Sequence, residues 1–492
     1  MKYLIGVDFG GGSSKATLLA EDGTVAAENA VEYPTRYPAP GQVEQDPEDW
    51  YAATVKNVRA LLEKSGVSPS AIAALSLDAA THTAVLCGED FTPLCPAIYW
   101  TDTRSAPIAK DLRERYGEKI FSLALSRPDP IWTLPQLIWV RENEPQLFSR
   151  IRRVLFAKDF VRHRITGDFL TDSIEAQGSM LWDNGAGCWS EFLCSLAGIS
   201  PEVLPRVVRP TDLAGTVTEE AARELGLPEG LPVLTGMTDT AAEVFASGAV
   251  APGNMTVKLA TAGRICVITD RAYPSDYLIN YSHISDGLWY PGTATKACAS
   301  SLRWFRDTFG DGLDYPALDR LAEATPVGAD GLLYHPYLNG ELTPYADPQL
   351  CASFTGFRAG HTKGHFVRAV MEGVALSLVD CLAALDSLGL PRDRKAALIG
   401  GGAKSPLWRQ IVSDALGMEL EVRRSSDSSL GSAMLAGVAA GVWQTPADAA
   451  RACSVTVATA RPDPARTEIY ARLFGRYKAV HDALAPLYRK PL

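Results

Sequence analysis

Two aspartates, Asp8 and Asp239, stand where a short apolar segment gives way to small residues. Asp239 follows the apolar run 231–234 and a break at Gly236, and it begins a segment with helical apolar spacing. An aspartate at such a strand-to-helix turn either accepts N–H bonds from the first helical turn as a cap or removes a proton as a general base. The residues around Asp239 leave both interpretations open.

Asp8 ends the apolar segment Tyr3 to Val7 and precedes a glycine turn, Gly10 to Ser14, after which Lys15 to Ala20 continues as a strand. Three glycines allow the backbone to approach an anion and to direct several N–H groups at it, as in phosphate-binding turns. The alternative is a tight hairpin, because the Gly-x-x-x-x-Gly-Lys-Ser/Thr pattern is absent and a strand follows where a dinucleotide loop would open a helix. A carboxylate beside a phosphate turn predicts Mg²⁺ at Asp8.

The second half of the chain repeats this strand, small turn, strand pattern. Met255 to Ala260 is a predicted strand, Thr261 to Gly263 is the turn, and residues 265–268 form the returning strand. Two such units half a chain apart predict two similar domains facing each other across a cleft, with residues 1–250 in one and 251–492 in the other. Gly400 to Lys404 precede a predicted helix over 407–416, and glycines there let an adenine or ribose lie on the backbone. A simple helix entry is the alternative.

Other elements must position these residues. The clearest helix is predicted over residues 46–66, with Asp46 as its cap and Gly66 at its end. Strands are predicted over 72–77, 84–87 and 96–100, whereas residues 105–230 are predicted to be mostly helical with loops, with Trp132 facing a cleft.

Polar clusters follow two of these strands, as α/β folds use strand ends to present side chains to a ligand. His82 lies in the cluster after 72–77 and is either a structural histidine or a ligand-binding one. Asp102 and Arg104 follow 96–100 and form either a surface pair or a substrate clamp.

Composition narrows the class of partner. The 492 residues, 47% of them hydrophobic and 21% charged, are typical of a globular chain of two to four domains. A net charge of −10 argues against nucleic acid and against anionic membranes. Because no signal peptide precedes Asp8 and no apolar run approaches a membrane span, a cytoplasmic protein is expected. The nine cysteines form no Cys-x-x-Cys pair, so neither disulfides nor zinc are predicted.

Seven motifs, taken in order, resemble those of the FGGY carbohydrate kinases and are most similar to the xylulokinase branch. They are Asp-Phe-Gly-Gly-Gly at 8–12, Ile-Tyr-Trp-Thr-Asp-Thr-Arg at 98–104, Ala-Lys-Asp-Phe at 157–160, Thr-Asp-Thr-Ala-Ala at 238–242, Thr-Ala-Gly at 261–263, Pro-Tyr-Leu-Asn-Gly-Glu at 336–341 and Ile-Gly-Gly-Gly-Ala-Lys-Ser at 399–405. The resemblance implies an α/β fold of two ribonuclease-H-like domains of the actin and hexokinase type flanking a cleft. It also implies ATP with Mg²⁺ and a small sugar substrate.

Residue by residue, the resemblance implies that Asp239 is the catalytic base and that Asp8 is associated with Mg²⁺. The nucleotide-binding residues it implies are Gly10, Gly11, Gly12, Ser13, Lys15, Thr261, Gly263, Gly401, Gly402 and Ala403. The substrate-binding residues expected are Thr81, His82, Asp102, Arg104, Trp132, Asp239 and Thr240.

Several positions depart from the family pattern. The family's Gln-Met-His-Gly is here Ala80 to Thr83, and Gln136, Ala262 and Leu342 stand where a lysine, a serine and an arginine are usual. The resemblance implies phosphorylation of D-xylulose to D-xylulose 5-phosphate. Because two of the departures lie where substrate would be read, another ketopentose, a pentitol, a tetritol or a sugar acid is the alternative substrate. A nucleotide-driven chaperone or filament protein is disfavoured because such proteins lack a substrate cleft with its own aspartate, and a sugar-binding pseudokinase is disfavoured because Asp8 and Asp239 are both present. The oligomeric state is open, with a homodimer as one option.

Overall fold

The computed structural model describes residues 1–489 and divides into two compact units. Unit 1 comprises Met1–Val250, Tyr281–Leu288 and Ser425–Ser454, and unit 2 comprises Ala251–Asn280, Trp289–Arg424 and the chain from Val455 onward. The predicted boundary after Val250 coincides with the end of the longest segment of unit 1. Two later segments, Tyr281–Leu288 and Ser425–Ser454, also belong to unit 1. A single boundary in the sequence therefore does not separate the two units.

The strands, in chain order, are β1 Tyr3–Phe9, β2 Ser13–Ala20, β3 Val25–Glu32, β4 Glu44–Gln45, β5 Ile72–Ala79, β6 Ala84–Cys87, β7 Ala97–Ile98, β8 Arg153–Phe156, β9 Leu170–Asp172, β10 Trp182–Asp183, β11 Cys188–Trp189, β12 Arg206–Val208, β13 Leu213–Thr216, β14 Pro232–Leu234, β15 Met237–Thr238, β16 Met255–Leu259, β17 Gly263–Val267, β18 Leu333–His335, β19 Ser353–Thr355, β20 Lys395–Ile399, β21 Glu419–Arg423 and β22 Thr456–Ala460.

The α-helices are α1 Pro47–Ser65, α2 Ala106–Ala124, α3 Thr133–Asn143, α4 Pro145–Phe148, α5 Ala157–Thr166, α6 Ser173–Gly178, α7 Glu191–Ala197, α8 Glu219–Leu225, α9 Asp239–Ala246, α10 Ala299–Phe309, α11 Tyr315–Glu323, α12 Lys363–Ser387, α13 Pro406–Leu416, α14 Ser428–Ala439, α15 Pro446–Cys453 and α16 Pro464–Tyr488. Short 3₁₀ turns cover Pro69–Ala71, Pro201–Val203, Ala329–Gly331 and Gly401–Lys404. None of the helices within 1–489 is both long and apolar enough to cross a membrane.

The main sheet of unit 1 has the strand order β13-β14-β5-β1-β2-β3, with β15 also pairing with β5. Strands β1, β2 and β3 form an antiparallel meander, and β5 and β14 then add parallel to it. This order is that of a ribonuclease-H-like sheet, and the predicted N-terminal hairpins are confirmed. Gly236 separates β14 from β15, because its φ is 83° and a Cβ there would lie 2.1 Å from the Leu77 carbonyl oxygen.

Helix α14 lies against β1, β2, β5 and α9 and is buried along most of its length. Its backbone approaches β1 so closely that a Cβ on Gly6 would lie 2.0 Å from the Ser429 carbonyl oxygen. The segment that begins at Ser425 therefore completes the core of unit 1, although it is more than 170 residues downstream of Val250.

Unit 2 contains a five-stranded sheet with the order β17-β16-β20-β21-β22. Strands β16 and β17 are antiparallel, β20 and β21 add parallel to β16, and isolated bridges from Cys266 and Thr269 extend the sheet beyond β17. The predicted strand, turn, strand repeat is confirmed, and so is the helix before Gly417, which is α13.

Residues 105–230 contain six short strands, β8 to β13, in addition to the predicted helices. Each has only two to four residues, too few for an alternating apolar pattern to be recognised in the sequence.

Candidate active site

Three neighbouring strands of unit 1 bring the predicted catalytic segments to one edge of the sheet. Strands β1 and β5 run parallel with Asp8 opposite Asp78, and β15 runs parallel to β5 with Met237 opposite Asp78. The carboxyl ends of parallel strands meet at the same sheet edge, which is where open α/β sheets place ligands. The glycine turn after Asp8, the segment 80–83 and Asp239 therefore share one edge.

Asp239 is the first residue of α9, and Thr238 occupies the N-cap position. One carboxylate oxygen of Asp239, Oδ1, accepts the backbone N–H of Thr240 at 2.6 Å and lies 3.3 Å from the Thr240 hydroxyl. Asp239 is therefore not the cap residue of α9. The positive end of the helix dipole favours the ionised form of a carboxylate at this position, as a proton acceptor requires.

Asp8 and Asp78 are a pair of buried carboxyl groups on neighbouring strands, opposite each other in the register of β1 and β5. Burial raises the pKa of Asp8 to about 7, and the nearby carboxylates of Asp427, Asp239 and Glu243 add to this rise. The pKa of Asp78 is raised well above its ordinary value, first by burial and then by the charge of Asp8. The Ser432 hydroxyl of α14 donates to Asp78 Oδ2 at 2.5 Å, so α14 fixes the orientation of the pair.

The first glycine turn closes with the Gly10 N–H donating to the Ser13 carbonyl at 3.0 Å. A Cβ on Gly12 would have no atom within 4 Å, and one on Gly11 would meet only the Tyr99 ring. The outer side of the turn is thus open within unit 1. Lys15, which was predicted to bind nucleotide, pairs through its ammonium with Asp427 at 2.7 Å.

His82 is held in an unusual backbone conformation by a buried set of contacts. Its φ is 76°, a left-handed value that is strained for a residue with a side chain. Its N–H donates to Glu175 Oε1 at 3.0 Å, and its carbonyl accepts from the Thr133 hydroxyl at 2.9 Å. Strained conformations that several neighbours hold in place are concentrated at functional sites.

The His82 ring is also fixed in orientation. Its Nδ1 lies 2.5 Å from the Gly178 carbonyl, its Nε2 lies 3.3 Å from the Tyr281 hydroxyl, and Trp132 packs edge-on at 4.6 Å between ring centroids. Because a carbonyl oxygen only accepts, Nδ1 carries the proton in the neutral ring, and Nε2 is then an acceptor. Trp132 is 3% exposed and packs on the histidine, and its predicted contact with substrate stays a prediction.

Thr81 and Thr83, which flank His82, are both buried. The methyl carbon of Thr81 lies over α6, where a Cβ on Gly178 would approach it to 2.3 Å. The Thr83 hydroxyl is buried, and within residues 1–489 it makes no hydrogen bond.

Asp102 and Arg104 form a buried pair, so the surface-pair alternative was wrong: their side chains are 0% and 7% exposed. Asp102 Oδ2 accepts the Val43 N–H at 2.6 Å, and the Arg104 guanidinium reaches Asp102 and Glu44 at 2.8 Å. Arg104 also stacks over Trp139. These contacts tie the segment 98–104 to the segment before α1, and whether substrate also reaches the pair stays a prediction.

In unit 2, the second turn and the glycine-rich segment end two neighbouring parallel strands, β16 and β20. The Thr261 carbonyl accepts the Cys298 N–H and the Ser300 hydroxyl, and the Gly263 N–H donates to the Thr295 hydroxyl at 2.9 Å. The turn is therefore fixed by the start of α10.

Gly401, Gly402 and Ala403 lie in the 3₁₀ turn that follows β20. A Cβ on Gly402 would lie 2.6 Å from the Leu259 side chain, whereas one on Gly401 would meet no atom within 4 Å. Packing accounts for the glycine at 402, and open space lies beside 401.

Sequence reasoning missed five residues that complete the unit 1 site: Asp78, Glu175, Gly178, Tyr281 and Ser432. Asp78 had a signal, because it begins the polar cluster that ends β5. The other four come from distant segments, and only the folded chain brings them to His82 and Asp78.

The carboxylates near Asp8 are the hard oxygen donors that Mg²⁺ prefers. Burial of several acidic groups in one region costs free energy that a divalent cation would offset. Within residues 1–489, no group of three or more histidine, cysteine, aspartate or glutamate side chains is arranged to hold a metal. Such a site suits an ion that keeps several waters and also binds phosphate oxygens, as Mg²⁺ does.

Comparisons with known proteins agree with this geometry. Residues 3–246 match the N-terminal domain, and residues 260–440 the C-terminal domain, of the FGGY family of carbohydrate kinases. The chain is 32% identical to a xylulose kinase of Bacillus subtilis (strain 168), covering 98% of this chain and 97% of that protein. It is 28% identical to a gluconokinase of the same organism, covering 88% of this chain and 86% of that protein.

The crystal structure of xylulose kinase from Rhodospirillum rubrum superposes with a TM-score of 0.92 at 29% identity, covering 99% of this chain and 100% of that one. The two domain matches together cover most of the chain, and the chain belongs to the FGGY family of carbohydrate kinases.

Proposed function

We propose that this chain transfers the γ-phosphoryl group of ATP to the terminal C5 hydroxyl of D-xylulose, giving D-xylulose 5-phosphate. The observation that carries the proposal is the position of Asp239, which heads α9 at the sheet edge shared by Asp8 and the first glycine turn. The similarity to xylulose kinases over nearly the whole chain supports the choice of sugar.

A sugar hydroxyl is a weak nucleophile at neutral pH, so a base must accept its proton as the oxygen attacks phosphorus. Asp239 takes this role, because its carboxylate lies at a helix N-terminus and the bond with the Thr240 N–H fixes its orientation. The proton moves from the sugar oxygen to the Asp239 carboxylate, while the bond from phosphorus to the leaving ADP oxygen breaks.

Charge builds on the phosphoryl oxygens during transfer, and backbone N–H groups of the two glycine-containing turns stabilise it. Mg²⁺ held through Asp8 and its waters would neutralise part of the triphosphate charge. The open space beside Gly401 leaves room for the nucleoside to lie against the backbone.

His82 favours a substrate that offers a hydroxyl at this position. With its proton on Nδ1, a neutral ring presents Nε2 only as an acceptor, and the Tyr281 hydroxyl lies 3.3 Å from that nitrogen; a substrate hydroxyl that replaces this contact can donate to Nε2, whereas a carboxylate or ketone oxygen cannot. Sites built to bond a particular hydroxyl can reject analogues without it by roughly 10⁴-fold. This favours ketopentoses and polyols over sugar acids in which a carboxylate would take that place.

The test is sugar-dependent ADP release from ATP with D-xylulose, D-ribulose, a pentitol, a tetritol and D-gluconate as substrates. We expect the highest kcat/KM for D-xylulose, and we expect Asp239→Asn to lose turnover with every sugar while still binding ATP. A kcat/KM for D-xylulose far below that of one of the other compounds would contradict the choice of sugar but not the phosphoryl transfer. Absence of turnover with every sugar would contradict both the choice of sugar and the proposed phosphoryl transfer.

A further inference from the structure

The three carbonyl groups of the first glycine turn all bond to one neighbouring segment, Tyr33 to Thr35, which follows β3. The Tyr33 hydroxyl donates to the Gly10 carbonyl at 2.6 Å, and the Thr35 hydroxyl donates to the Gly11 carbonyl at 2.5 Å. The Tyr33 N–H donates to the Gly12 carbonyl at 3.1 Å.

In a planar trans peptide, the C=O of one residue and the N–H of the next point in opposite directions. Fixing the carbonyls of Gly10 and Gly11 on the side of Tyr33 therefore turns the N–H groups of Gly11 and Gly12 to the other side. Neither of these N–H groups donates to a backbone carbonyl within residues 1–489. Successive N–H groups that point the same way form an anion-binding concavity.

The Thr35 hydroxyl is itself held by buried groups. Gln45 Nε2 donates to the Thr35 hydroxyl at 2.9 Å, and the Trp50 indole N–H donates to Gln45 Oε1 at 3.1 Å. The indole bond fixes which end of the Gln45 amide faces Thr35, so the Thr35 hydroxyl accepts from Gln45 and its one proton goes to Gly11. Gln45 and Trp50 are each 1% exposed, which makes this orientation rigid.

We infer that Tyr33 and Thr35 are positioning residues for the triphosphate: they hold the carbonyls of the turn so that the amides of Gly11 and Gly12 face the phosphate oxygens. The inference rests on the proposed function, because it takes the turn to be a phosphate-binding one. A loop of glycines without these bonds would sample many conformations, and ordering it would reduce affinity.

The experiment compares Tyr33→Phe and Thr35→Val, which remove one hydroxyl each, with Thr35→Ser, which keeps a hydroxyl. Tyr3→Phe is the matched control, because Tyr3 lies at the far end of β1 and its hydroxyl donates to Met1 Sδ at 3.3 Å. Equilibrium binding of ATP, ADP and adenosine is measured by calorimetry with Mg²⁺ present, and the KM for sugar is measured where turnover allows.

The loss of one neutral hydrogen bond corresponds to about a 3- to 10-fold change in a dissociation constant. We therefore expect Tyr33→Phe and Thr35→Val each to raise the Kd for ATP and the Kd for ADP by that factor. Adenosine binding and the KM for sugar should stay within about twofold of wild type. Thr35→Ser and Tyr3→Phe should bind all three ligands as wild type does.

If adenosine binding and ATP binding were weakened equally, the inference would be overturned, because this result would indicate general damage to the fold. Unchanged ATP and ADP binding in both hydroxyl-deleted variants would also overturn it. A wild-type chain that binds ATP but turns over no sugar would contradict the proposed function alone, since the binding comparison does not need a sugar.

Discussion

Asp8 and Asp78 occupy opposite positions in the parallel register of β1 and β5, and both side chains are buried. Burial raises the pKa of Asp8 to about 7 and raises that of Asp78 well above its ordinary value, and the charge of Asp8 adds to the rise at Asp78. Because neighbouring buried carboxylates repel each other, we predict that Asp78 holds a proton near neutral pH and that Asp8 is the member of the pair that ionises. The Ser432 hydroxyl donates to Asp78 Oδ2, which leaves Asp78 Oδ1 to carry that proton.

This assignment predicts different outcomes for amide substitutions at the two positions. Asparagine mimics a protonated aspartate in shape and can donate to Asp8, so Asp78→Asn should keep kcat within about threefold of wild type. Asp8→Asn should lower kcat by at least about 10²-fold, because it removes the carboxylate that we propose helps to hold Mg²⁺. Steady-state kinetics with saturating ATP and sugar would decide, and an equal loss in both variants would show that both carboxylates must be ionised.

Asp239→Asn should preserve ATP binding and thermal stability but lower kcat by roughly 10²- to 10⁴-fold, the usual contribution of a positioned general base. Asp22→Asn is the matched control: it makes the same substitution at an exposed aspartate that accepts the Thr24 N–H in the turn after β2. The comparison uses single-turnover phosphoryl transfer measured by rapid quench. A kcat for Asp239→Asn close to that of wild type would mean that Asp239 only supports the start of α9.

The sequence predicted the elements that follow local rules. Helix α1 lies at Pro47–Ser65 because Asp46 caps it through the Glu48 N–H, Pro47 suits the first position and Gly66 takes a left-handed φ of 66°. These signals depend only on residues close together in the sequence. Ser405, which caps the start of α13, and Gly417, which ends it, are signals of the same kind. Periodicity and caps are therefore sufficient for such elements.

The sequence could not predict contacts that depend on long-range closure. Glu175 contacts His82 from 93 positions away, Tyr281 from 199, and Ser432 reaches Asp78 across 354. None of these pairs has a spacing that a single element would produce. The left-handed backbone conformation of His82 could not be predicted from the sequence either, because a histidine gives no reason to expect a φ of 76°.

Gly178→Ala should disturb the His82 loop. The added Cβ would lie 2.3 Å from Thr81 Cγ2 and 3.4 Å from His82 Nδ1, so the threonine or the loop must move. We expect the KM for sugar to rise by about 10-fold or more while the KM for ATP changes little. Adding Thr81→Ser removes the clashing methyl group and should restore much of the sugar affinity. A double variant no better than Gly178→Ala would exclude the Thr81 contact as the cause.

Glu175 should act on sugar binding through His82. Burial raises the pKa of Glu175 well above its ordinary value, and its Oε1 accepts the His82 N–H at 3.0 Å. Glutamine keeps that acceptor, and we expect Glu175→Gln to retain wild-type kinetics within about threefold, whereas Glu175→Ala should raise the KM for sugar about 10-fold. Replacing His82 by glycine in the Glu175→Ala background tests whether the strained backbone at position 82 is the cause. Glycine adopts the left-handed φ without strain, so we expect thermal stability to recover, whereas sugar binding should not.

His335 in unit 2 predicts a pH dependence of stability. Burial lowers its pKa from 6.5 to about 4, and the positive charge of a protonated His481 would lower it further. Its Nε2–H donates to the Tyr477 carbonyl at 3.0 Å and its Nδ1 lies 3.3 Å from the Ser353 hydroxyl, so the folded state holds the neutral ring.

Between about pH 6.5 and 4, the unfolded chain binds a proton at this histidine and the folded chain does not. The stabilising contribution of the neutral ring is therefore fully present above pH 6.5 and is lost as the pH falls, by up to about 1.4 kcal/mol per pH unit. Denaturant unfolding measured from about pH 7 to 5 should give a smaller slope of the unfolding free energy against pH for His335→Gln than for wild type. Ser353→Ala keeps the titrating ring and should retain the wild-type slope. An unchanged slope in His335→Gln would mean that the buried ring takes up its proton in the folded state as readily as in the unfolded one.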